Sequence, residues 1–207
     1  MDFNLCLYLV TDRSLSGKRP IEWIVEEAVK GGVTMVQLRE KDCCTNDFLE
    51  LAIRLKKILK PYNVPLIIND RLDIVLAADA DGLHIGQSDM PYPIARKILG
   101  YKKIIGLSVE TIAQAREANK LDVDYIGISP VFMTGTKTDI NTPLGLAGIR
   151  EIAAFSKHRI VGIGGIDADN TRAVIEAGAN GVAVVSAIIS ASDPAKAALM
   201  IKQQINK

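Results

Sequence analysis

The sequence predicts an α/β protein, a (β/α)8 TIM barrel forming a single compact domain over residues 1–207. Three observations carry this expectation. Short apolar runs read as strands buried on both faces. Amphipathic stretches of helical period alternate with them. The strand-then-helix unit recurs eight times in 207 residues, about 26 residues each. A repeating order of this kind implies parallel strands joined by right-handed crossovers, and eight units suit closure. An open doubly wound sheet is the competing arrangement.

The strand-like runs fall at Leu5–Val10, Thr34–Leu38, Leu66–Ile68, Gly82–Ile85, Lys103–Leu107, Tyr125–Ile128, Ile160–Ile163 and Gly181–Val185. They are near-continuous rather than alternating, as strands covered on both faces must be. After the first run, Ile21–Lys30 places Ile21, Ile24, Val25, Ala28 and Val29 on one face and stops at Gly31-Gly32. After the second, Phe48–Leu59 repeats Phe48, Leu51, Ala52, Leu55 and Leu59 and stops before Pro61. The segment Asp169–Ala177 ends at Gly178, a residue suited to the left-handed position beyond a helix. Pro194, following Asp193, fits the first position of a last helix running to about Gln204. No linker or low-complexity run divides the chain. The long irregular stretch is Ser129 to Leu144, and a loop of that length in a compact domain is commonly functional.

Composition narrows the function classes. Lys and Arg number 25 against 24 Asp and Glu, so no overall basic field points to nucleic acid or an anionic membrane. Any anion site must be a local cluster. The cysteines are Cys6, Cys43 and Cys44, an odd count without framework spacing, which argues against a disulfide scaffold. His84 and His158 have no partner spacing for zinc. No apolar run reaches the ~18 residues of a membrane span, and MDFNLCLYLVTDR has neither a basic n-region nor a cleavage site. The expectation is a soluble, cytoplasmic protein. A homo-oligomer is left open.

In a parallel βα fold, ligands sit at the carboxyl ends of the strands. Polar and charged residues concentrate there. The second strand runs into Gln37, Arg39, Glu40 and Lys41, and the third ends at Asn69, Asp70 and Arg71. Gly86, Gln87, Ser88 and Asp89 follow the fourth, and Ser108 the fifth. Thr134, Gly135, Thr136 and Lys137 follow the sixth, Gly164-Gly165 the seventh, and Val185-Ser186 the eighth. The opposite ends, such as Gly31-Gly32 and Pro61–Pro65, show turn chemistry instead.

Three groupings emerge. Arg39, Lys41 and Lys137 would suit a diphosphate if they converge, or are solvated rim cations if they do not. Asp70 and Asp89, without His or Cys, suit Mg²⁺ shared with substrate phosphates, or else each caps the helix after it. Gly164-Gly165 with Val185-Ser186 either lets backbone N–H groups approach a monophosphate or makes an ordinary tight turn. GIGGID does not complete a dinucleotide fingerprint, because Asp167 stands where the last Gly belongs, and a P-loop motif is absent. His84, inside a strand, reads as a packed or supporting histidine. His158, between Lys157 and Arg159, reads as a surface residue. Cys43-Cys44 has no context that would activate a thiol.

The set VQLREKD, IIND, GLHIGQSD, GLSV, YIGISPVFMTGTKTD, GIGGI and GVAVVSAI, in this order from Tyr8 to Ile188, resembles the thiamine phosphate synthase family. It departs from the family at Ser129, where Gly is more frequent, and at Met133-Thr134-Gly135, where Pro is common. The resemblance implies a (β/α)8 barrel that couples 4-amino-2-methyl-5-(hydroxymethyl)pyrimidine diphosphate to 4-methyl-5-(2-phosphoethyl)thiazole. The products are thiamine phosphate and pyrophosphate, and Mg²⁺ is the cofactor. It further implies Gln37, Arg39, Glu40, Lys41, Asn69, Ser108 and Lys137 at the pyrimidine diphosphate, with Lys137, Arg39 and Ser108 catalytic. Asp70 and Asp89 would hold Mg²⁺. Thr134, Thr136, Gly165, Val185 and Ser186 would bind the thiazole phosphate.

The implied chemistry is a dissociative substitution in which the nucleophile belongs to the substrate. The protein then needs no catalytic Cys or His. It needs charge placed against the departing pyrophosphate and alignment of two small molecules. The rival readings are a thiazole tautomerase-like homologue, another phosphate-binding barrel isomerase or lyase, and a non-catalytic thiazole phosphate sensor. The tautomerase-like reading needs neither the diphosphate cations nor the metal groups, and the sensor does not need the carboxylate pair.

Overall fold

A computed structural model describes residues 3–134 and 142–206. Eight parallel strands close into a barrel in chain order. They are β1 (Leu7–Val10), β2 (Met35–Leu38), β3 (Leu66–Asn69), β4 (Gly82–Ile85), β5 (Ile104–Val109), β6 (Tyr125–Ile128), β7 (Arg159–Ile163) and β8 (Gly181–Val184). Closure is made by β1 pairing with β8, with Tyr8 opposite Ala183. The expected (β/α)8 barrel is therefore present, and the open sheet is excluded.

The helices are α1 (Ile21–Lys30), α2 (Thr45–Leu59), α3 (Leu72–Ala77), α4 (Tyr92–Leu99), α5 (Ile112–Ala118), α6 (Gly145–Ala153), α7 (Thr171–Glu176), α8 (Ser186–Ile189) and α9 (Pro194–Ile205). α1 matches its expected bounds and buries the expected face. α2 begins three residues earlier than its apolar period, because Thr45, Asn46 and Asp47 form a polar first turn. α7 begins later than expected, because the Asp167 carboxylate accepts the Asp169 and Asn170 N–H groups and holds a turn there. In α9 the Asp193 side chain accepts the Lys196 N–H and Pro194 stands at the first helical position, as its sequence suggests. Among the described residues no helix is long and apolar enough to cross a membrane.

Two apolar layers result. One lies between strands and helices and includes Leu7, Leu9, Val36, Leu38, Leu55 and Ile126. The other fills the barrel with Tyr8, Val10, Met35, Ile67, Ile104, Tyr125, Val161 and Ala183. Successive residues of a strand alternate between these layers, which is the period-two rule applied to a barrel. Burying one large aliphatic side chain contributes about 1.5–3 kcal/mol, so the strands need both layers.

Tyr125 depends on a glycine in the neighbouring strand. A Cβ at Gly106 in β5 would stand 2.1 Å from the Tyr125 ring carbon Cζ and 2.4 Å from its hydroxyl oxygen. Gly106→Ala must displace a fully buried ring. The expected loss is about 1–3 kcal/mol or more, the range for overpacking a filled core. Urea denaturation of the two proteins measures it, and an unchanged midpoint would show that the ring has room to move.

Candidate active site

A cavity of about 370 Å³ opens at the carboxyl end of the barrel. That volume suits a small organic ligand. Gln37, Arg39, Asn69, Ser108, Thr134, Gly165, Val185 and Ser186 all line it. Six strands thus deliver the expected residues to one space, since Arg39 stands just beyond β2 and Val185-Ser186 just beyond β8. Thr136 and Lys137 lie outside the described residues. Glu40, Lys41, Asp70 and Asp89 do not line the cavity itself.

Arg39 is held in place rather than solvated. Its Nη1 donates to Asp12 Oδ2 at 3.1 Å, and its backbone N–H donates to Thr11 Oγ1 at 3.0 Å. Its side chain is 21 % exposed, so the guanidinium sits at the rim with further N–H donors available beyond the one given to Asp12. Asp12 was missed in the sequence. The signal was there, because Thr11-Asp12-Arg13 directly follows β1 and strand ends are where sites form.

Glu40 turns away from the cavity. Its Oε2 accepts from Arg13 Nε at 2.9 Å, and its side chain is only 3 % exposed. Its Oε1 is buried with no hydrogen-bond partner among the described residues. Glu40, expected at the pyrimidine diphosphate, supports a neighbouring cation here, and that cation is Arg13.

Asp70 and Asp89 come together. Asp70 follows β3 in a left-handed conformation with φ 60°, and its backbone N–H donates to the His84 carbonyl at 2.9 Å. Asp89 Oδ2 accepts the Gly86 N–H at 2.7 Å. Neither carboxylate caps a helix, since Arg71 and Pro91 occupy the cap positions of α3 and α4 without side-chain bonds. The capping alternative is removed. Burial and then the adjoining Asp89 carboxyl push Asp70 up to about 6, against the opposing pull of Lys41 and Asn69. Lys41 therefore lies beside the pair. Two facing carboxylates are a donor set suited to a hard divalent cation that takes its other ligands from phosphate and water. Among the described residues no three His, Cys, Asp or Glu side chains form a closed metal cage.

On the far side, Gly164 and Gly165 have φ of 104° and 65°. They also admit the chain after β6. A Cβ on Gly164 would stand 2.8 Å from Pro130 Cβ, and one on Gly165 2.5 Å from the Met133 carbonyl oxygen. The Val131 and Phe132 N–H groups donate to the Ile163 and Gly164 carbonyls at 2.9 and 3.0 Å. The glycine pair is a tight turn and a cavity wall together, so the two readings of it are not exclusive. Val185 and Ser186 form the adjacent wall where β8 passes into α8.

The Asp70 environment fixes the sign of a pH effect. Its acid form is favoured on folding, so its contribution to stability is present below the ordinary value of 3.8 and is lost as pH rises through about 6. Asn tolerates the left-handed backbone and carries no charge. In chelator-treated protein, Asp70→Asn should gain thermal stability relative to wild type as pH rises from 4 to 7. A gain that instead shrank across that window would contradict the assigned environment.

The comparisons with known proteins agree with this geometry. The family model described as thiamine monophosphate synthase matches residues 7–188. A thiamine-phosphate synthase from Clostridium novyi is 50% identical over 193 residues, covering 93% of this chain and 95% of the relative. One from Albidiferax ferrireducens is 50% identical over 202 residues, covering 98% and 92%. The solved thiamine phosphate pyrophosphorylase from Pyrococcus furiosus superposes with a TM-score of 0.89 at 38% identity, covering 98% of this chain and 96% of that one. A closed barrel with its polar residues gathered at one mouth, matched over nearly its whole length, belongs to the thiamine monophosphate synthase family, transferases of thiamine biosynthesis.

Proposed function

We propose that the chain joins 4-amino-2-methyl-5-(hydroxymethyl)pyrimidine diphosphate to 4-methyl-5-(2-phosphoethyl)thiazole, forming thiamine phosphate and releasing pyrophosphate, in a Mg²⁺-dependent reaction. The observation that carries this reading is the carboxylate pair Asp70 and Asp89 beside Lys41, with Asp70 next in sequence to Asn69 and Lys41 two residues beyond Arg39, both of which line the cavity. A cavity for thiazole phosphate alone would need neither the pair nor the cations. This favours the coupling enzyme over a tautomerase-like homologue, a phosphate-binding isomerase or lyase, or a sensor.

In the proposed mechanism the bond between the pyrimidine methylene carbon and the diphosphate oxygen breaks first. The electron pair leaves with pyrophosphate, and the pyrimidine amino group spreads the positive charge left behind. The thiazole nitrogen then donates its lone pair to that carbon. Arg39 and Lys41, with Lys137 assigned from its sequence context, place positive charge against the departing pyrophosphate. Mg²⁺, held by Asp70 and Asp89, would supply further charge at the same phosphates. The Gln37 amide nitrogen is taken by Tyr8, which leaves its carbonyl oxygen to accept from the pyrimidine. Asn69 and Ser108 line the same cavity. The thiazole phosphate is assigned to the opposite wall, at Gly165, Val185 and Ser186 with Thr134 and Thr136. Backbone N–H groups at such loops are ready anion donors.

Preorganised charge and alignment are the large terms available to such a site. Incubation of both substrates with and without Mg²⁺ should give thiamine phosphate and pyrophosphate only with the metal. Binding without product would identify a sensor instead. Arg39→Ala and Lys137→Ala should each lose ~10²–10³ in turnover while remaining folded. A variant turning over at the wild-type rate under saturating Mg²⁺ would remove that residue from the leaving-group site. Asp70→Asn combined with Asp89→Asn should abolish the Mg²⁺ titration, and an unchanged titration would sink the metal assignment.

A further inference from the structure

Five polar side chains from five strands are linked across the barrel interior. Gln37 Nε2 of β2 donates to the Tyr8 hydroxyl of β1 at 2.7 Å. The Tyr8 and Tyr125 hydroxyls of β1 and β6 are 2.8 Å apart. The Tyr125 hydroxyl lies 2.9 Å from His84 Nδ1 of β4, and His84 Nε2 lies 2.8 Å from Ser108 Oγ of β5. Tyr8 is 1 % exposed and Tyr125 0 %, while Gln37 and His84 are 4 % and 8 % exposed. Gln37 and Ser108, the two ends of the chain, both line the cavity.

Hydrogen counting gives this chain a direction. An amide NH₂ only donates, so the Tyr8 oxygen receives from Gln37. The single Tyr8 proton then goes to the Tyr125 oxygen. The single Tyr125 proton goes on to His84 Nδ1, which must be bare. A neutral imidazole bare at Nδ1 carries its proton on Nε2 and donates it to Ser108 Oγ. The Ser108 proton is left to point into the cavity. Burial pushes both phenols well above the ordinary tyrosine range, so neither link is lost by ionisation at working pH.

We infer that Tyr8, Tyr125 and His84 are positioning residues, a one-way hydrogen-bond chain that fixes the Ser108 hydroxyl as a donor toward an acceptor atom of the ligand. The identity of that acceptor as part of the pyrimidine diphosphate rests on the function proposed above. The polarity itself does not. The reverse polarity exists in principle. If the Gln37 carbonyl oxygen faced Tyr8, every link would turn over, His84 would carry its proton on Nδ1, and Ser108 would offer lone pairs to the cavity. One histidine tautomer therefore reports the state of the whole chain.

The test begins with ¹⁵N-histidine labelling of the full chain, which contains two histidines, and a His158→Gln variant assigns the signals. The ligand-free protein should show His84 as the neutral Nε2–H tautomer near neutral pH. The Nδ1–H tautomer or an imidazolium would overturn the direction. Turnover gives the second arm. Tyr125→Phe keeps the ring and removes the link, and should lower kcat about tenfold with KM changed less than about twofold, the scale of one hydrogen bond. Placed in a Ser108→Ala background it should cost nothing further, because the chain acts through Ser108. A loss that multiplies with Ser108→Ala would overturn the positioning role. Tyr8→Phe supplies the same comparison if Tyr125→Phe does not fold. A wild type that makes no thiamine phosphate would remove the substrate reading and leave the tautomer result standing.

Discussion

Closure of the parallel sheet is the constraint on which the rest depends. Once β8 pairs with β1, no strand has a free edge and alternate side chains of every strand must share one enclosed interior. Below the mouth that interior is filled largely by apolar groups. A polar atom placed there must find its partner on another strand, since leaving it unmade costs about 1–3 kcal/mol. The barrel therefore converts strand order into chemistry. Gln37, Asn69, His84 and Ser108 come from four consecutive strands and all line the cavity because each stands at an inward position near its strand's carboxyl end.

A second tier of residues holds the first. Asp12 orients Arg39, Arg13 takes Glu40, and the Gly86 N–H holds Asp89. Gln87 Nε2 donates to the Ser108 carbonyl at 2.6 Å and ties the loop after β4 to β5. The carboxylate pair is the exception to this completeness. Asp70 is raised because it faces burial and another carboxyl before it feels Lys41. Such an arrangement disfavours charge on both carboxylates at once, a cost that a bound cation would relieve. Under the proposed Mg²⁺ reading, affinity for the cation and instability without it would have one physical source.

The barrel was legible in the sequence because strands covered on both faces leave long apolar runs, and eight such runs leave little choice of architecture. The site was legible because functional side chains must stand at one end of those runs. What was not legible required register. Tyr8 and Tyr125 look like core aromatics, and only closure brings their hydroxyls together across 117 positions of sequence. The helices α3, α5 and α7 span six or seven residues and offer too few turns for a period to show clearly. Asp70 could not be told from a helix cap until the backbone of α3 was seen to start without it. Glu40 stood among residues assigned to substrate, yet its strand-end position said nothing of which way it turned.

The glycine pair after β7 carries a consequence for how this protein can change. Gly164 and Gly165 leave room for Pro130 and Met133, and the same backbone accepts hydrogen bonds from Val131 and Phe132. The two segments are thus halves of one joint, although more than thirty residues of chain separate them. A substitution on either half is felt by the other at backbone distance, where a side chain cannot rotate out of the way. Evolution is expected to vary them as a unit, and a loop exchanged between relatives should be carried over with its counterpart.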